Sequence, residues 1–234
     1  MRLRMIVLVG ICVMLGWAAA AEAAGPRVIL ALGNASFIDA QAILKATGAE
    51  VTQDPGKALL KDVAVLVLAD VPFGSLPQPV QGGLVEYVNS GGAVLITGGA
   101  QSFGSGGYKE VAPIIPFEIR SDNDWRAVPF RSPVPLQPGH PILAGILGPG
   151  FITIGTLNDM NPRPGATEIL RSPGGASSTG GASYPSPLIA ELGVGAGRVV
   201  GVAFDPNRLG GWGLRDLFVR NTLDYLLTSS RLGR

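Results

Sequence analysis

The run Val63-Ala-Val-Leu-Val-Leu-Ala69 limits the fold more than any other feature of the chain. Seven residues pass without a polar side chain. A strand with one face in water alternates apolar and polar positions. A strand that is apolar throughout is covered on both faces, as in a parallel sheet between helical layers. Ala93-Val-Leu-Ile-Thr97 and Arg27-Val-Ile-Leu-Ala-Leu-Gly33 have the same character, and each runs into a polar or glycine-rich turn. Between these runs the spacing changes to helical. Ser36-Phe-Ile-Asp39 resembles a capping box, followed by Ile38, Ala42 and Ile43 on one face. A short strand is expected at Glu50–Gln53. Pro77 to Ser90 repeats apolar residues every four positions (Val80, Leu84, Val88) and stops at Gly91-Gly92. This strand–helix–strand rhythm predicts a doubly wound α/β fold with a mostly parallel sheet.

The second half is less regular. Ile114–Arg120 and Phe151–Leu157 are expected to be further strands. Pro187–Glu191 and Arg198–Phe204 predict a hairpin around Gly193–Gly197. A final helix is expected from Leu214 to about Thr228, with Leu214, Leu217, Phe218 and Tyr225 on one face and Val219, Leu223 and Leu226 widening it. Ser172 to Pro187 reads as a mobile Gly/Ser-rich loop. No interior boundary divides residues 25–234, which are expected to form one domain.

Residues 1–24 have the order of a secretory signal. Arg2 and Arg4 precede the apolar run Ile6–Trp17, and Ala21-Glu22-Ala23 supplies small residues for cleavage after Ala23 or Ala24. The expected location is the periplasm or outside the cell, with membrane attachment only through this segment if it stays uncut. Cleavage would remove Cys12, the single cysteine, and leave acidic and basic residues in balance. Cysteine-based metal sites and disulfide frameworks are excluded, and nothing in the charge favours nucleic acid as a partner. No cofactor or metal site is expected. Asp122-Asn-Asp124 is read as a solvated acidic turn.

Ligands in open α/β sheets sit beyond the carboxyl ends of the strands. Three segments occupy such places: the turn at Asp70, the loop Gly98–Tyr108, and Asp205–Arg208 continuing to Trp212. The glycine loop lacks the Gly-Lys-Ser/Thr ending of a phosphate-binding loop. Ser102 is the candidate hydroxyl nucleophile. It needs a base, and the only histidine, His140, lies in the turn-like Gly139-His-Pro141 and is read as structural. Trp125 and Trp212 are either stacking platforms or anchors of their loops to the core.

The segment Gly91–Tyr108, with its Gly-Gly-x-x-Ser-Phe-Gly core, resembles the class I glutamine-amidotransferase-like family. So do His140–Ile146, Gly197–Asp205 and the helix after Trp212. The resemblance implies a flavodoxin-like sheet. It also implies a thiol nucleophile on the sharp turn after a strand, with histidine and glutamate after a later strand. In this sequence that turn is Thr97-Gly98-Gly99, Asp205 stands in the histidine's place and Asn207 in the glutamate's. The whole triad is therefore missing. The expectation is a non-catalytic binding domain whose site is lined by Asp70, Gly98, Gly99, Ser102, Phe103, Gly104 and Trp212, with a small ligand or an envelope protein as partner. Two alternatives stand beside it: a hydrolase using Ser102 or an Asp-activated water, with Ser102 and Asp205 as the candidate catalytic residues, and a structural partner in the cell envelope.

Overall fold

The computed structural model describes residues 27–148, 150–173, 175–176, 182–183 and 185–231. The expected signal, residues 1–24, and residues 174, 177–181 and 184 of the Gly/Ser-rich segment lie outside them.

The apolar runs form strands where expected. β1 (Val28–Gly33), β2 (Glu50–Thr52), β3 (Val63–Ala69) and β4 (Ala93–Thr97) alternate with α1 (Ala40–Thr47) and α2 (Gln78–Asn89). Then follow β5 (Phe117–Glu118), β6 (Trp125–Arg131), β7 (Val134–Pro135), β8 (Ile154–Asn158), β9 (Asn161–Pro162), β10 (Thr167–Arg171), β11 (Gly175–Ala176) and β12 (Ala182–Ser183). β13 (Pro187–Val194), β14 (Gly197–Val202) and α3 (Arg215–Ser229) close the chain.

The main sheet has eight strands among the described residues, in the order β2-β1-β3-β4-β14-β13-β10-β7. β2, β1, β3, β4 and β14 are mutually parallel; β13, β10 and β7 extend the sheet antiparallel. The parallel half follows the flavodoxin-like order, in which the strand direction of travel switches between the first and third strands. Small antiparallel pairs, β6 with β8 and β5 with β9, are added beside it. No described helix is long and apolar enough to cross a membrane.

Every residue of β3 and β4 is buried. Alternate side chains feed two cores, because successive strand residues point to opposite faces. Val65, Val67 and Leu95 pack with α1 and α3 through Ile43, Phe218 and Leu223. Leu66, Leu68 and Ile96 pack with α2 and the following 3-10 segment through Leu84, Tyr108 and Ile114. On α3 the buried stripe is Phe218, Val219, Thr222, Leu223, Leu226 and Leu227. Leu214, Leu217 and Tyr225 sit at its half-buried margin.

Three local expectations are corrected. Ser36 does not cap α1. Asp39 does, with its carboxylate accepting from the amides of Gln41 and Ala42, both at 3.0 Å. Ser36 instead donates across the sheet edge to Asn207. The apolar stretch Ile114–Arg120 yields only the two-residue β5, because Tyr108–Ile114 is a 3-10 segment and Pro113 and Pro116 withhold ladder donors. The strand expected at 151–157 starts three residues later, at Ile154.

Candidate functional site

The sharp turn after β4 is closed. The Gly98 amide donates to Val202 O at 2.6 Å and to Phe204 O at 3.1 Å, which ties the turn to the end of β14. A Cβ on Gly98 would stand 2.5 Å from the Ala203 carbonyl carbon and 2.6 Å from Asn158 Oδ1. One on Gly99 would stand 2.0 Å from Asp70 Oδ1. No side chain, nucleophilic or other, fits at either position without moving backbone or the Asp70 carboxylate. Asp70 takes up a positive φ of 40° and accepts from the Gln101 amide at 2.8 Å, so it bridges the turns after β3 and β4.

The glycine loop turns its named residues inward. Ser102 is fully buried, and its hydroxyl donates to Thr97 O at 2.6 Å. Phe103 has a positive φ of 48°, uncommon for a bulky residue. Its ring is fully buried between Tyr108 and Phe117, at 6.2 and 5.4 Å between centroids. Gly104 is buried, and a Cβ there would stand 1.9 Å from Ser121 O. Ser102, Phe103 and Gly104 thus support the loop from beneath and do not line a mouth. Ser102→Ala removes one buried hydrogen bond. It is expected to cost about 1 kcal/mol in urea unfolding and to leave any ligand affinity unchanged.

Two residues outside the expected site hold this loop. Asp124 is buried, not solvated. Its carboxylate accepts from the Gly104 amide (3.0 Å), the Ser105 amide (3.2 Å), the Ser105 hydroxyl (3.0 Å) and the Asn158 amide group (3.0 Å). Asn158 also donates to Gly99 O at 3.1 Å and accepts from Gly99 N at 3.0 Å. β6 and β8 bring these two residues under the loop. No local pattern announces them, since each contact spans between 19 and 59 residues of chain.

The open part of the carboxyl edge is at Asp205. Its carboxylate Oδ1 accepts from the Asn207 amide at 2.8 Å and starts the 3-10 turn Pro206–Leu209. Asn207 donates to Asn34 O at 2.8 Å and accepts from Ser36 at 2.7 Å, which joins the ends of β14 and β1. Arg208 Nε lies 3.7 Å from Asp205 Oδ2, and its guanidinium lies over the Trp125 ring, 5.5 Å from the centroid. Burial is the main cause that raises the Asp205 carboxyl above its usual range. The Asn207 amide works against it and the Asp70 charge adds to it. Beside Asp205 a cavity of about 350 Å³ is lined by Thr153, Ile154, Gly155, Thr156, Phe204, Arg208 and Leu209.

Trp212 is an anchor. Its indole N–H donates to Gly150 O at 3.0 Å, and its ring packs on Phe151 and Phe218. Trp125 carries Arg208 on its ring.

His140 belongs to a separate cluster. Glu191 Oε2 accepts from Tyr225 at 2.6 Å and Arg198 at 2.5 Å, and His140 Nε2 stands 3.7 Å away. The Ile142 amide donates to His140 Nδ1, which leaves the proton on Nε2, toward Glu191. Arg198 pairs with Ala93 at the start of β4, whereas Ser102 is bonded at Thr97, its end. Four residues of strand, about 13 Å, separate the two levels. His140 cannot serve Ser102 as a base. Burial alone would raise the Glu191 carboxyl, but the contacts with His140, Tyr225 and Arg198 outweigh it and lower it from 4.5 to about 2. A carboxyl depressed by folding stabilises the fold above its unfolded pKa, and that contribution is lost as the pH falls toward the folded one. Urea midpoints are therefore expected to drop between about pH 4.5 and 2, and Glu191→Gln should flatten that part of the profile.

No protein-family model and no curated protein matches the sequence. Solved structures do. A cytoplasmic protein of Salmonella typhimurium LT2 matches with a TM-score of 0.64 at 15% identity, over 87% of this chain and 100% of that one. A second cytoplasmic protein of Salmonella typhimurium matches with a TM-score of 0.63 at 15% identity, over 85% and 98%. A ThuA-like protein of Bacteroides uniformis matches with a TM-score of 0.55 at 13% identity, over 93% and 97%. At such identities the likeness shows the fold: the class I glutamine-amidotransferase-like fold that ThuA-like proteins share.

Proposed function

We propose that this chain is a non-catalytic binding member of the amidotransferase-like superfamily, taking a small polar ligand at the carboxyl edge of its sheet. One observation carries the reading. The turn where the family's nucleophile would stand is packed too tightly for any side chain, while a cavity of about 350 Å³ opens beside Asp205. The volume falls in the range of small-molecule sites. The site is thereby moved from the face of the 98–108 loop to the cleft at Asp205. Purified protein is expected to show no glutamine hydrolysis and no labelling of Ser102 by a fluorophosphonate. Glutaminase turnover abolished by Ser102→Ala or Asp205→Asn would overturn the proposal.

A second reading, hydrolysis by a water on Asp205, is favoured by the raised Asp205 carboxyl, since a general acid or base needs a pKa near working pH. Ester or amide turnover lost in Asp205→Asn would select it.

The composition of residues 1–24 supports action outside the cytoplasm. Fractionation with N-terminal sequencing is expected to find the mature chain in the periplasm or medium, beginning at Ala24 or Gly25. Full-length chain confined to the cytosol would refute export.

A further inference from the structure

We propose that the cavity between Thr153–Thr156 and Phe204–Leu209 takes a small zwitterion, with its ammonium on Asp205 and its carboxylate on Arg208. This inference rests on the binding reading above and names the ligand class for that cleft.

The argument starts from an ion pair that is not closed. Asp205 Oδ2 and Arg208 Nε are 3.7 Å apart, beyond hydrogen-bond distance. The Asp205 side chain is only 8% exposed, and Asn207 serves its other oxygen. Arg208 thus makes no direct hydrogen bond to Oδ2, and Asp205 lines the cavity. A buried carboxylate facing a cavity gains from a ligand that brings a charged donor to it. Arg208 is steadied by the Trp125 ring and is 59% exposed, so its terminal nitrogens remain available. Two opposite charges are held in place at one cavity mouth.

A lone cation reaching Asp205 would meet Arg208, and a lone anion reaching Arg208 would meet Asp205 with the Asp70 charge behind it. A ligand carrying both charges on the same or adjacent carbons satisfies the two groups together. Ile154, Phe204 and Leu209 offer an apolar wall for a short aliphatic side chain, and Thr153 and Thr156 add hydroxyls. The family's amide chemistry plays no part, because the proposed contacts are to charged ends only.

The experiment is an NMR titration of the isotope-labelled protein, following the Gly155 amide and the Trp125 indole. The probes are glycine, β-alanine and L-valine, with ethylamine, propionate and glucose as controls. Saturable shifts are expected from the zwitterions. Ethylamine and propionate should bind at least tenfold more weakly. Asp205→Asn keeps an oxygen to accept from Asn207, and Arg208→Gln alters an exposed side chain, so both variants should fold. Each should weaken the zwitterions at least tenfold. Equal binding of ethylamine, or undiminished zwitterion binding in both variants, would overturn the proposal. Shifts from glucose alone would overturn the zwitterion and leave the binding cleft standing. Asp205-dependent hydrolysis of an ester or amide would instead remove the non-catalytic reading.

Discussion

Asp124→Ala is expected to lower the free energy of unfolding by about 3–4 kcal/mol, measured by urea denaturation. The carboxylate is buried and accepts four hydrogen bonds, three from the glycine loop and one from Asn158. Alanine leaves the Gly104 and Ser105 amides without an acceptor. The cost is the desolvation of those groups, which exceeds the net worth of the bonds. Asp124→Asn should fall between wild type and alanine, because one of its two terminal atoms becomes a donor facing donors. Asn158→Ala should cost about 2–3 kcal/mol, and the double variant less than the sum, since the two side chains share a hydrogen bond. A loss below about 1 kcal/mol for Asp124→Ala would show that the loop is held by other means.

Gly98→Ala is expected to destabilise by about 3 kcal/mol, at the upper end of overpacking effects. The added methyl would stand 2.5 Å from the Ala203 carbonyl carbon, and backbone at the centre of a sheet cannot swing aside as a flexible side chain does. Gly98→Cys is the sharper version. It places a thiol on the sharp turn after β4, yet it should yield poorly folded protein and no glutaminase. Gly210→Ala is the control: its φ is −55° and no atom lies within 4 Å of the new methyl, so the change should stay within about 0.5 kcal/mol. Equal stability of Gly98→Ala and Gly210→Ala by thermal unfolding would refute the closed turn.

The layered sheet was legible because its cause is local. A run such as Val63–Ala69 has no polar residue to turn toward water, so it requires cover on both faces. The hairpin Pro187–Val194/Gly197–Val202 was legible for a related reason: Gly195 supplies the positive φ of its turn. Helix starts were less so. Ser36 and Asp39 are both good caps, and the choice fell to Asp39 because Ser36 is engaged by Asn207, a partner 171 residues away.

The sequence by itself determined the fold class. It follows from which residues are present: apolar runs that demand burial on both faces. Only the tertiary structure decided which face of the glycine loop meets water. Ser102 and Phe103 look available in a loop of glycines, but the loop is drawn inward by Asp124 and Asn158, and its aromatic ring gains more by burial between Tyr108 and Phe117. The cleft at Asp205 was set in the same way: its walls come from the Thr153–Thr156 and Phe204–Leu209 segments, and its Arg208 rests on Trp125, 83 residues earlier in the chain, contacts that no local pattern encodes.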